Sequence, residues 1–159
     1  MIDTILGLPA HVLLVHAAVV FGPLLVAAVV LYALVPVFRP RIGWATVILA
    51  IVAPIALWLA RLSGQKFEAL QKTRGARAAF IAQMDAHGSF GNYAAWSGTI
   101  LGVLALLLIF AGTAAGKKPQ TSSSRTLLYT LIVLNLIMAA ATGFYVFKTG
   151  DSGARMVWG

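Results

Sequence analysis

Apolar residues run along this chain in four blocks, approximately 12–34, 42–60, 90–112 and 126–147, separated by short polar and basic stretches. Each block is near the ~20 residues that a helix needs to cross the hydrocarbon core of a bilayer. Backbone amides find no water there, so each block has to satisfy its own hydrogen bonds as a helix. Leu24–Leu34 and Ile48–Leu57 are apolar around their whole circumference, where a helix of a soluble bundle would carry a polar stripe. The pattern predicts an all-α integral membrane bundle of four transmembrane helices. A single domain over residues 1–159 is expected, with helices at about 10–35, 42–61, 89–112 and 125–148.

Local signals refine this outline. Leu8-Pro9-Ala10 reads as a helix start, because proline is well tolerated in a first turn. Gly22-Pro23 and Pro54 fall inside apolar blocks and predict packing kinks. Between the second and third blocks, Phe67, Leu70, Ala78, Ile81 and Met84 recur at roughly helical spacing among Lys66, Glu68, Lys72, Arg74 and Arg77. That longer connection, 63–88, predicts an amphipathic segment lying on the membrane surface. The stretch 116–125 is polar and predicts a loop, with Ser123 or Ser124 capping the last helix. In the third block Gly91, Ala95, Gly98 and Gly102 form a small-residue stripe. Such a stripe permits close helix approach, and the first and third helices are expected to meet through it. The same flat face would also accommodate a planar cofactor.

Charge fixes an expected orientation. The formal net charge is +8, from twelve Lys and Arg against four acids. The basic residues lie outside the apolar blocks or at their edges, where they anchor helix ends and meet anionic headgroups. The partner they imply is the lipid bilayer, and nucleic acid is excluded. The first and third connections carry Arg39, Arg41, Lys117, Lys118 and Arg125 with no acid, whereas Asp3, Glu68, Asp85 and Asp151 all belong to the other side. This asymmetry predicts both termini outside the cytoplasm. The first block lacks a basic leader and is not expected to be a cleavable signal. Trp44, Trp58, Tyr93 and Tyr129 fall near block ends, as interfacial anchors do.

There is no cysteine, which excludes disulfides, thiolate metal sites, cysteine-ligated iron–sulfur clusters and covalently attached haem. Histidine and carboxylate remain as ligands. The three histidines are His11, His16 and His87, and all are expected near the outer end of the bundle. His11 and His16 are five positions apart, so on a helix they point roughly 140° apart and differ in depth by about 7.5 Å. They cannot share one small ion, but either can meet a residue from another helix. His16, about one turn inside its apolar block, is the stronger candidate because an ionisable residue within a span is expensive to keep. His11 or His16 with His87 would make an axial pair for a b-type haem. His16, His87 and Asp151 would instead offer an N,N,O set for a divalent transition metal.

The opening Gly7-Leu8-Pro9-Ala10-His11-Val12-Leu13-Leu14-Val15-His16, the Ala86-His87 pair and the closing Thr149-Gly150-Asp151-Ser152-Gly153-Ala154-Arg155-Met156-Val157-Trp158-Gly159 resemble the pattern of a bacterial membrane family known as domain of unknown function 2231. The resemblance spans nearly the whole chain. Val12 stands where the family has proline, and Asp151 where it has its closing histidine. The resemblance implies a multi-pass protein of the bacterial cytoplasmic (inner) membrane, whose relatives can be joined to redox domains such as Rieske-type modules. It implies no assigned activity.

Two functional classes follow. The leading one is a membrane redox or metal/haem-binding accessory that uses histidines at the outer end of the bundle, partnered with a membrane redox complex. The alternative is a structural or assembly subunit of a larger membrane complex, or a homo-oligomer, with no chemistry of its own. A transporter is disfavoured because there is no inverted repeat. An enzyme is disfavoured because no paired carboxylates or nucleophile–base spacing is evident, and Ser122–Ser124 belong to the side opposite every histidine.

Overall fold

The computed structural model describes residues 4–5, 8–115 and 121–158. Thr4–Ile5 pairs antiparallel with Leu8–Pro9, and the chain then enters four helices: α1 (Ala10–Leu34), α2 (Arg39–Thr73), α3 (Ala78–Ala115) and α4 (Ser122–Trp158). All four are long and apolar enough to cross a membrane. They run up and down in turn, each packs on its neighbour in sequence, and α4 closes the ring on α1. Outward positions along the middle of the helices are large and apolar, among them Val19, Leu24, Ile51, Val103, Phe110 and Ile137. An exposed apolar belt of this kind suits lipid. The protein is a multi-pass, four-helix membrane bundle.

Each turn has an identifiable cause. After Leu34 a single 3₁₀ turn, Pro36–Phe38, reverses the chain. Arg39 reaches back with Nε to the Tyr32 carbonyl (2.9 Å) and Nη2 to the Ala33 carbonyl (3.1 Å). Those carbonyls have no partner within α1, and a cation at a helix C-terminus also complements the dipole. At the other end, α2 stops at Gly75, which adopts φ +73, a left-handed conformation that glycine enters at no steric cost.

Three expectations are corrected. The 63–88 connection is helical, but it continues α2 and α3 past the apolar blocks and leaves only 74–77 as a turn. With 35, 38 and 37 residues, α2, α3 and α4 are each longer than the apolar run inside them; their polar ends pack on one another instead of lying flat. The cap of α4 is Thr121, whose Oγ1 accepts the Ser124 amide at 3.2 Å; Lys117, Lys118 and Pro119 lie outside the described residues. Finally, α1 and α3 are diagonal in the ring and barely touch. The small-residue stripe of α3 faces α2 and α4. A Cβ on Gly98 would come within 2.5 Å of Leu57 Cδ1, and one on Gly102 within 2.5 Å of the Ala50 carbonyl oxygen. Ala50 lies four residues before Pro54, so its carbonyl has lost its helical partner. Pro54 thus leaves a bare carbonyl, and Gly102 is where α3 makes room for it.

Candidate functional site

A cavity of about 460 Å³ opens among the four helices at the end that holds the start of α1 and the α2–α3 turn. Its walls are almost wholly apolar, from Val15 and Ala18 of α1 to Phe80, Met84 and Ala94 of α3 and Val146 and Met156 of α4. The polar groups reaching it include His11, Arg61, Glu68, His87 and Thr149. A mostly apolar pocket of this size with a few convergent polar groups is the usual form of a small-molecule site.

Rotation of α1 decides which histidine enters. His11 lies on the stripe continued by Ala18, Leu25 and Tyr32, all three buried. Seven residues are close to two helical turns, so His11 faces inward with them. His16 lies off that stripe: it is exposed, and its Nδ1 turns back to the Val12 carbonyl of its own helix at 2.6 Å. In α3, His87 heads an equivalent stripe of Ala94, Leu101 and Leu108, again all buried. The structure brings His11 and His87 together across the cavity, with ring centroids 6.5 Å apart and planes at 80°. It does not bring His16 or Asp151 to them. Asp151 pairs with Arg155 at 3.0 Å, one turn further along α4. Among the described residues no group of three or more His, Cys, Asp or Glu is arranged to hold a metal ion.

Each inward histidine is tethered in the same way. His11 Nδ1 lies 3.0 Å from Ser63 Oγ and 3.1 Å from the Ala60 carbonyl of α2. His87 Nδ1 lies 2.9 Å from Ser152 Oγ of α4, beside the Thr149 carbonyl. A serine hydroxyl has one proton to give. Ser63 gives its proton to the Ala60 carbonyl (2.9 Å) and Ser152 to the Thr149 carbonyl (3.0 Å). Towards the imidazoles both oxygens can therefore only accept, so Nδ1 carries the proton in each neutral ring and Nε2 keeps its lone pair. Glycine follows each serine, and a Cβ on Gly64 or Gly153 would press on the imidazole Cε1 at 3.0 or 3.1 Å. Phe67, from the extended part of α2, stacks over His11 at 6.2 Å and 17°.

The two hairpins, α1–α2 and α3–α4, thus repeat one another. Ala60, Ser63 and Gly64 have the spacing of Thr149, Ser152 and Gly153. Deeper in the bundle, buried Thr46 bonds the carbonyl four residues back (2.9 Å), as buried Asn135 does at the corresponding place in α4 (2.8 Å). Helices α1 and α3 run the same way, so the relation is an approximate two-fold along the bundle, and the histidines meet edge-on across it. Ser63, Ser152 and Arg61 were not identifiable as site residues from the sequence. The available signal was the double occurrence of Ala-His just before an apolar run and Ser-Gly just past one.

No family model, curated protein or solved structure matches this chain.

Proposed function

We propose that the protein is a membrane redox accessory in which His11 and His87 serve as the two axial ligands of a b-type haem. The observation that carries this is a close pair of imidazoles, ring centroids 6.5 Å apart, each tethered through Nδ1 and with no partner on Nε2 among the described residues, at one apolar cavity. Two histidines bound to opposite faces of one iron hold their ring centres roughly 6 Å apart, because each nitrogen stands about 2 Å from the metal. The separation of 6.5 Å fits that span.

Ligand number favours haem over a bare ion. Structural zinc wants four protein donors and catalytic zinc three, and among the described residues the two imidazoles have no third ligand group beside them. A haem iron brings four nitrogens of its own and asks the protein for axial ligands alone. When bound, such a haem passes single electrons. The chain's own part would be to hold the two rings, orient them through Ser63 and Ser152, and surround the group with mainly apolar walls. Donation from Nδ1–H to a serine or carbonyl oxygen also raises the basicity of Nε2, as it does for other metal-bound histidines. The reading extends to a place in the bacterial inner membrane with both termini outside, as the sequence resemblance and the charge asymmetry imply.

Protein purified in detergent from a haem-replete host is expected to show a Soret band, with bound haem lost in His11→Ala and His87→Ala but kept in His16→Ala. A wild-type spectrum without a Soret band, together with no haem uptake on titration, would refute the proposal.

A further inference from the structure

The two-fold relation between the hairpins breaks at one place that bears on the ligand. Arg61 on α2 corresponds to Gly150 on α4, and Glu68 corresponds to Val157. One wall of the cavity is therefore charged where its counterpart is apolar. Arg61 also lines a second, polar pocket of about 340 Å³ between α2 and α3, shared with Gln65, Glu68, Lys72 and Asp85. Its Nε is sealed from solvent and has no acceptor. Among the described residues no carboxylate lies within ion-pair distance of it; Glu68 is engaged by Lys72, which also reaches Asp85 at 3.4 Å. Gly88 and Gly91 of α3 leave the guanidinium room. A Cβ on Gly88 would lie 3.8 Å from both Arg61 Nη1 and Glu68 Oε2, and one on Gly91 3.7 Å from Arg61 Cδ.

We infer that Arg61 binds a carboxylate carried by the apolar molecule that fills the cavity, so that the ligand enters in one orientation, acid group towards the α2–α3 side. A guanidinium presents a planar fork of donors matched to carboxylate geometry, and a buried donor without an acceptor is expensive to keep. One cation, with the Glu68 carboxylate nearby, is balanced by a monoanion better than by a phosphate dianion. The inference rests on the cavity being a ligand site and extends the haem reading, since haem carries propionates. A long-chain fatty acid offers the same chemistry.

The test titrates nanodisc-embedded protein with ferric haem b against its dimethyl ester, and with palmitate against methyl palmitate, using protein-free nanodiscs as the blank. A charge-assisted hydrogen bond predicts that the acid form binds at least about tenfold more tightly than its ester. Arg61→Gln is expected to abolish that preference and Arg61→Lys to retain part of it. The wild-type acid–ester comparison stands even if the variants fold poorly. Preference for acidic haem supports both readings. Preference for palmitate with no haem binding supports Arg61 as the carboxylate site and removes the haem. Haem bound equally as acid and ester overturns the inference and leaves the axial pair intact. Binding of neither acid overturns both.

Discussion

Replacing Gly102 by alanine is the sharpest probe of how the bundle holds its shape. A Cβ there would stand 2.5 Å from the Ala50 carbonyl oxygen and 3.2 Å from Pro54 Cγ, whereas ordinary contact begins near 3.4 Å. Both obstacles are stiff: one is backbone and the other a ring fixed within it. Relief therefore requires α2 and α3 to part by about 0.9 Å over this turn. A gap of that size forfeits a quarter to a half of the dispersion well for each contact across it. The seam affected is deeply buried: Ala53, Leu101 and Ala105 meet there at no more than 2% exposure. Overpacking of this kind costs about 1–3 kcal/mol, and a stiff obstacle argues for the upper half of that range. Gly98→Ala is the internal control. Its new Cβ would also meet an atom at 2.5 Å, but that atom is Leu57 Cδ1, the far end of a side chain that can rotate. Unfolding in mixed micelles with increasing dodecyl sulfate should rank the proteins wild type, then Gly98→Ala, then Gly102→Ala. Equal stability of Gly102→Ala and wild type, or a larger loss at Gly98, would refute the freed-carbonyl account.

Other predictions use the tethers, a buried amide and the orientation. Ser63→Ala and Ser152→Ala each remove an acceptor from an inward imidazole and, under the haem proposal, are expected to weaken haem binding about 10- to 100-fold; unchanged affinity in both, by haem titration, would remove the serines from the site. Asn135→Ala severs the bond from α4 to the Leu104 carbonyl of α3 (3.1 Å) and should cost about 0.6 kcal/mol in the same unfolding assay. The loss stays small because the Asn135 Oδ1 it also removes is buried without a partner, and a stabilised variant would contradict the account. For orientation, a cysteine at exposed Trp158 should react with an impermeant thiol reagent in intact cells while one at Phe38 resists. The reverse labelling would place the termini inside.

The spans were legible because lipid demands some twenty apolar residues in a row, and nothing else in this chain produces such runs. Helix ends were not. Residues 61–73 and 78–89 lose the apolar run yet stay helical. The roughly helical spacing of Phe67, Leu70, Ala78, Ile81 and Met84 marks a helix there but not that it continues α2 and α3, which depends on Phe67, Phe80 and Met84 packing at the cavity. The glycine stripe of α3 was readable as a close-packing face, but its partner depended on the ring order of four helices, which no single helix encodes. The choice between His11 and His16 turned on the rotation of α1. A helix apolar on every side gives no direction for its own inward face. The five-residue spacing established only that one of the two would point away. The seven-residue stripe from His11 through Ala18, Leu25 and Tyr32 marks the inward face only in the light of its counterpart in α3.

Two hairpins joined in one chain differ in a basic respect from two copies of one hairpin. A symmetric pair would have to place any residue on both sides of its axis at once, so a cation at the position of Arg61 would face its own image across the cavity. Repulsion between two such charges in an apolar space would work against the closed ring. In a single chain, one half can carry arginine while the other keeps glycine, and the space between two matched imidazoles acquires a direction.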